Sequence, residues 1–413
     1  MAHVEGLKVV GRTSSFFFKG KPEDLKVIGN KLGVANVLEG SLRKDGGGIR
    51  VTAKLIRVSD GIQLWSETYD RKVTGIFKVQ DEIAAAVTKA LQLRLLPTGR
   101  SAPRSHAPDA YASFLLGRQL LSRMTYEELP RAIASFEKAV TIEPTFADAW
   151  AGLSLALDER SYWQSSLEGI LRDKQKALDA ANRAVDLAPG EGAGYAARAQ
   201  LVDIRGWDWR GSLADARRAV ELEPNDVQAR IILGKLLYAS GNREAVQELR
   251  RATELDPLST VAWNQLGFAA GITGDGALRQ AAMARAREIN PRNDWWTLVG
   301  EGSREWAEAV LREPVGPLDG PIHYQRVRAL RVLGREAEAR TAFHELIACC
   351  SYSGAWQVAL TYDNAGERDK AFEWLERALV NMDRGIRYVK LAPRFKGDPR
   401  TATILKKMNL PVD

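Results

Sequence analysis

The stretch AVELEP, residues 219–224, returns as ATELDP at 252–257, and it decides how the chain is read. Working outward, the same phrase appears as AVTIEP (139–144), AVDLAP (184–189) and AREINP (286–291). The closing residues Pro144, Pro189, Pro224, Pro257 and Pro291 lie 45, 35, 33 and 34 residues apart. A small residue ahead of a terminal proline describes a helix that packs closely and then stops, because proline lacks an N–H and clashes with the preceding turn. A period near 34 holds two such helices with their turns, so this part of the chain reads as stacked helix pairs.

Marks inside the period agree. Trp263, Leu266, Gly267 and Ala286 recur in one unit, Leu233, Gly234, Ala245 and Ala252 in another, and Ala132, Phe136 and Ala139 in the first. These residues resemble the tetratricopeptide repeat, in which two antiparallel helices meet through small positions. Gly234 and Gly267 let backbones approach, and Trp150 and Trp263 fill the space between helices. The 45-residue spacing leaves about eleven extra residues in the second unit, assigned to a longer hairpin turn over Leu157 to Ile170. The pattern fades through Trp295-Trp296 and Pro314 to Pro321, then returns in ALRVLGREAEARTAFHELI and GAWQVALTYDNAGERDKAFEWLERAL. The solenoid therefore spans 108–380 with about seven helix pairs, one of them degenerate. Residues 381–413 form a capping segment, whose basic last helix is placed at the exposed end.

The front differs. Apolar and polar residues alternate through Ile49, Val51, Ala53 and Leu55 and again through Ile62 and Leu64, broken by Lys44-Asp45-Gly46-Gly47-Gly48 and by Ser59-Asp60-Gly61. Period two with glycine turns predicts three antiparallel strands joined by hairpins. Pro22-Glu23-Asp24 opens a short helix ending at Gly33, and a second helix runs from about Val79 to Leu95. With Leu7 to Arg12 as an opening strand, the fold class is an α+β front domain, a short antiparallel sheet with covering helices, followed by a mostly α solenoid.

The phrases GLKVVGRTSSFFFKG, LGVANVLEGSLRKDG, IRVTAKLIRVSDGIQLWSETYDR and FKVQDEIAAAV resemble the TolB amino-terminal-like (FlgO-like) domain that precedes tetratricopeptide repeats in many bacterial proteins. The resemblance covers residues 6–96 of a domain taken as 1–96, with a linker at 97–107. It implies a helix and strand ahead of Gly6, so the N-terminus reads as truncated and residues 7–12 as a sheet edge open to pairing. The tail RYVKLAPRFKGDPRTATILKKMNLP resembles the closing segment of the same proteins. There the two parts follow a class III adenylate cyclase domain or a winged-helix DNA-binding domain, and the repeats serve as a sensory or interaction module.

Composition limits the alternatives. Hydrophobic content of 45 % belongs to a folded protein, and no apolar run approaches the roughly 18–20 residues that cross a bilayer. The location expected is cytoplasmic, or periplasmic or membrane-associated if an upstream segment directs it. Of the formal charge of +7, the first 105 residues hold 18 Lys/Arg against 10 Asp/Glu. That basicity raises a nucleic-acid or envelope-surface binder as a weaker hypothesis, with Arg43, Lys44, Arg50 and Lys54 as its surface; scarce interleaved aromatics argue against nucleic acid. Cys349 and Cys350 are adjacent and read as reduced, because their Cα separation falls below the usual disulfide span.

No catalytic constellation emerges, and no metal or cofactor site. His344-Glu345 opens a zinc-protease-like motif, but Ala348 stands where the second histidine belongs. Gly190-Glu191-Gly192-Ala193-Gly194 follows a terminal proline rather than a strand, and Ser351-Tyr352-Ser353-Gly354 lacks a leading glycine. The expected function is non-catalytic protein–protein interaction, with any cyclase activity in an upstream domain. Stacked repeats bind extended segments along the wall formed by the first helix of each pair. Alignment of the two best units points Arg230, Lys235, Tyr238, Asn264 and Phe268 inward, a cationic and amide-bearing groove suited to an acidic peptide.

Overall fold

The computed structural model describes residues 9–45, 48–72, 76–91, 106–122, 125–290, 302–315 and 320–412. Strands β1 (Asn36–Asp45), β2 (Gly48–Arg57) and β3 (Gln63–Lys72) form an antiparallel meander, with Leu38 opposite Leu55 and Val51 opposite Tyr69. Alternation places Ile49, Ala53, Leu55 and Tyr69 on the buried face and leaves Arg43, Arg50 and Lys54 exposed. Helices packed against this meander are Leu25–Leu32, capped by the Asp24 carboxylate and closed by left-handed Gly33, and Ile76–Ala90.

The opening strand is corrected. Val9 to Gly11 form no strand, and Arg12–Phe17 is a helix, α1, so the sheet has three strands among the described residues. The reason lies in the segment's hydrogen bonds. Gly11 N–H donates to the Leu255 carbonyl at 2.7 Å, Ser14 N–H donates to Asp256 Oδ1 at 2.8 Å, and the Ser14 hydroxyl binds the same carboxylate. Leu258 N–H in turn donates to Ser14 Oγ at 2.8 Å, and Ser14 is fully buried. These polar groups are satisfied by a turn of the solenoid rather than by a neighbouring strand. Residues 1–8, the 97–105 part of the linker, Trp295-Trp296 and the side chain of Lys44 lie outside the described residues.

Helix pairs follow. With α2 and α3 the two helices of the front domain, the solenoid begins at α4 (Pro108–Leu121) and α5 (Leu129–Ile142), then α6 (Ala147–Ser161) and α7 (Leu167–Leu187). Next come α8 (Gly192–Ala199) with α9 (Trp209–Leu222), α10 (Val227–Ala239) with α11 (Ala245–Leu255), and α12 (Thr260–Thr273) with α13 (Gly276–Ile289). Single helix α14 (Arg304–Arg312) precedes α15 (Gly320–Val332) with α16 (Glu336–Cys350), and α17 (Ala355–Asn364) with α18 (Arg368–Val380). First helices touch one another from α4 to α12 while second helices hardly meet, so the first helices line the inside of the curve.

Repeat residues act as packing elements. A Cβ on Gly152 would collide with the Phe136 ring, and one on Gly234 would meet Leu249 at 2.5 Å, so only glycine lets these helices come this close. The long second unit is corrected as well: its extra residues are helix rather than hairpin. The connection is only 162–166, and α7 runs for 21 residues where α5 and α9 have 14. Asp173, at the end of the added turns, and Lys174, which follows it, are both fully buried.

The chain's end departs most from expectation. After α18 come a 3₁₀ segment at Arg384–Leu391, a short turn at Pro393–Phe395 and α19 (Pro399–Lys407). Ile386, Phe395, Ile404 and Met408 are fully buried in the core that α10 and α12 share with α17 and α18. Trp209 Nε1–H donates to the Met408 carbonyl at 2.8 Å, and Asn409 donates to the Gly206 carbonyl at 3.0 Å. The last helix is therefore no exposed cap: its apolar side has a partner in the early repeats. Cys349 and Cys350 are joined by a disulfide, their Cα atoms 3.7 Å apart, which corrects the reading of reduced thiols.

Candidate binding site in the solenoid interior

One position recurs in every early unit, six residues after the terminal proline. Trp150 Nε1–H donates to the Pro144 carbonyl at 2.9 Å, and Trp263 Nε1–H does the same to Pro257 at 2.9 Å. Tyr195 donates its hydroxyl proton to the Pro189 carbonyl at 3.3 Å, and Arg230 Nε–H donates to Pro224 at 2.8 Å. Each donor satisfies a carbonyl freed where proline stops the preceding helix. Arg230 is therefore a structural residue, and its guanidinium also pairs with Glu248 rather than facing a ligand.

The inner wall of α6, α8 and α10 is occupied by the chain's own C-terminal segment. Arg384 pairs with Glu159 at 2.7 Å, and its guanidinium stacks on the Tyr162 ring, 3.8 Å from the centroid. Arg387 pairs with Asp203 at 2.5 Å, and Asp203 also holds Lys174 at 3.0 Å. Lys174 reaches Asp158 at 3.2 Å as well. Tyr388 lies against Tyr238, ring centroids 5.8 Å apart, and the Tyr238 hydroxyl donates to Gln265 at 2.7 Å. Asp383 anchors the start of the segment, accepting from Trp356 N–H at 3.0 Å and Gly385 N–H at 2.7 Å.

Burial sets the electrostatics. For Lys174 desolvation favours the neutral amine, but Asp203, Tyr162 and Asp158 outweigh it and raise its pKa. Burial likewise pushes the Asp203 carboxyl up, and Arg387 with Lys174 pulls it far below the ordinary range. Lys235 goes the other way. Desolvation and the charges of Arg384 and Arg387 lower its pKa to about 8, opposed only in part by Glu159 and Asp158. Asp383, buried without a cation at bonding distance among the described residues, is pushed up to about 6 by desolvation.

The five inward candidates thus separate. Arg230 caps a carbonyl; Tyr238 is buried beneath Tyr388; Lys235 faces the enclosed charges. Asn264 is half-buried with its Oδ1 unpartnered, and Phe268 stands 46 % exposed on the same helix. Val261 and Ile272 are exposed on that helix too, and spacings of seven and four residues put them on one side with Phe268. On the front sheet, Arg50 makes a two-pronged pair with Asp70 at 2.7 and 3.0 Å, and Arg43 and Lys54 are also exposed. Among the described residues no cluster of His, Cys, Asp and Glu is placed to hold a metal, and no helix is long and apolar enough to cross a membrane.

Sequence reasoning missed Asp158, Glu159, Lys174, Asp203, Arg384 and Arg387. Each looks like ordinary surface charge on an amphipathic helix or tail. The one available signal was the longer second unit, whose added turns run directly into Lys174.

No family model matches the chain. A putative adenylate cyclase 3 from Rhizobium meliloti (strain 1021) is 32 % identical over 200 residues, 47 % of this chain and 34 % of that protein. The chain thus spans about a third of the length of this curated relative. Among solved structures, YrrB, a tetratricopeptide-repeat protein with an unusual peptide-binding site, aligns at 23 % identity over 44 % of this chain and 87 % of its own, with a TM-score of 0.28. The thermophilic repeat protein TTC0263 of Thermus thermophilus aligns at 19 % identity over 49 % and 99 %, with a TM-score of 0.38. Human IFIT1, in a dimer with m7Gppp-AAAA, aligns at 16 % identity over 73 % and 77 %, with a TM-score of 0.48. The helix pairs, their glycine contacts and the capped prolines define the helical part as a solenoid of stacked antiparallel helix pairs.

Proposed function

We propose that the protein is a non-catalytic interaction module with a sensory or scaffolding role in bacterial signalling, and that it holds a peptide or protein segment against the α12 wall. The observation that carries this reading is the stripe Val261, Phe268 and Ile272, exposed on a first helix of the repeat array beside the unpartnered amide oxygen of Asn264. An apolar side on a helix that lines a solenoid is what an amphipathic helix or extended peptide needs for docking. The partner is apolar along this wall rather than acidic, since Arg230 and Lys235 are turned to other uses. The front is assigned to the TolB amino-terminal-like class on its sequence phrases.

The test is site-specific crosslinking in a bacterial host. A photoreactive residue replacing Phe268 in the full chain captures one defined polypeptide, and adding Ile272→Glu removes that adduct. Labelling no different from the same residue placed at exposed Arg218 on α9 overturns the assignment.

A second reading is favoured by the cyclase relative: the module serves an output domain, a class III adenylate cyclase or a winged-helix regulator. Its test is genetic. Deleting the α4–α13 coding region changes cyclic AMP or target transcript levels in the native host if the reading holds, and leaves both unchanged if it fails.

A further inference from the structure

The interior ion pairs leave one cation over, and the further buried carboxylate, Asp383, is spent on the N–H groups of Trp356 and Gly385. Asp158 is held by Lys174, Asp203 by Lys174 and Arg387, and Glu159 by Arg384, so three carboxylates are matched by three cations. The neighbouring Arg160 and Asp173 close on each other at 2.7 and 2.8 Å. Lys235 is a fourth cation in the same enclosure. It feels Arg384, Arg387, Glu159 and Asp158, yet among the described residues it donates no hydrogen bond and sits in no ion pair. A second donor is unspent as well: Arg387 Nε–H is buried with no acceptor.

We propose that Lys235 is the centre of a binding site for a small oxyanion, a carboxylate or phosphate group, between α10 and the Arg384–Leu391 segment. A half-buried ammonium without an ion pair is costly, and an oxyanion beside it supplies a countercharge at bonding distance and can accept a charge-assisted hydrogen bond. The place is reachable: Lys235 keeps part of its surface open to solvent although its surroundings are densely packed. Its lowered pKa has the same setting, because desolvation and two guanidinium groups oppose its proton. The site requires the tail in place. Arg384 and Arg387 come from residues more than 180 positions beyond their partners, so ligand and tail docking support each other.

The proposal is tested on the full chain by calorimetric titration with inorganic phosphate, and separately with acetate, at pH 7 and constant ionic strength. Wild-type protein is expected to bind one anion saturably, and Lys235→Met to weaken it at least tenfold. Saturation by phosphate alone assigns a phosphoryl ligand, and saturation by acetate alone a carboxylate; either supports the site. No saturable binding of either, or equal affinity in K235M, overturns it. A readout on the wild type needs no variant to fold: the side-chain ammonium resonance of Lys235 shifts on phosphate or acetate saturation while that of Lys174 does not. A Lys235 signal unmoved by both anions also overturns the proposal. None of these results depends on α12, so failure here and failure of the Phe268 crosslink are separate outcomes.

Discussion

The inner wall of the solenoid has two stretches built from the same repeat and put to opposite uses. Along α6, α8 and α10 the wall is polar and full: Asp158, Glu159 and Lys235 face a segment of the same chain, and Tyr238 is sealed under Tyr388. Along α12 the wall is apolar and open, with Val261, Phe268 and Ile272 exposed. A repeat scaffold fixes where side chains point without fixing what they meet. That depends on which distant segment returns to the curve, here the C-terminal tail.

The comparison breaks most sharply at Asp203. Replacing it with alanine removes the carboxylate that Lys174 and Arg387 share and leaves both buried, an expected loss of about 3–5 kcal/mol in unfolding free energy by urea titration. Tyr238→Ala, which empties a position sealed from both sides, is expected to cost a similar amount, about 3–5 kcal/mol. Hydrogen exchange at 384–391 reads the same event locally. If Asp203→Ala leaves both stability and tail protection unchanged, the tail is not held by this network.

A pH series sharpens the contrast within the filled stretch. The pKa of Lys235 falls from 10.5 in the unfolded chain to about 8 in the fold. Between those values the unfolded state binds the extra proton, so raising pH through the window stabilises the native protein. Below about pH 8 the full cost is present. Lys235→Met removes it, so in anion-free buffer the variant is expected to gain over wild type at pH 7 by up to about 3 kcal/mol. Partial solvation makes that figure an upper bound. The gap closes as pH rises to 10.5, and a gap constant across the range would show that Lys235 is not strained.

Gly385 gives a smaller effect. A Cβ there would collide with the Trp356 ring, so Gly385→Ala forces the tail away from α17 at about 1–3 kcal/mol. Thermal unfolding reads it, with a midpoint unchanged from wild type as the contrary outcome.

Much of this architecture was legible in the sequence, and the boundary of legibility has a physical cause. Terminal prolines, small packing residues and period-two strands are local signals, and they located the helix pairs and both hairpins. Tail docking is a contact across 184 to 225 residues, and periodicity carries no information about such pairings. Arg384 and Arg387 therefore looked like the charges of an exposed end. The contacts of Arg230 were hidden for a different reason: it belongs to a column, Trp150, Tyr195, Arg230 and Trp263, whose shared property is a side-chain donor six residues past a proline. The opening segment resembled a strand, yet its N–H groups found acceptors at Leu255 and Asp256 instead.

The smallest expected effect is the most discriminating for function. Phe268→Ala removes a ring that is 46 % exposed and contributes little to the fold, so unfolding free energy should change by no more than about 0.5 kcal/mol. A truncation that leaves stability alone while abolishing the crosslinked adduct is the signature of a contact made to another molecule. A loss of about 2 kcal/mol or more would instead place Phe268 in the core, and the open stretch of the wall would then be as structural as the filled one.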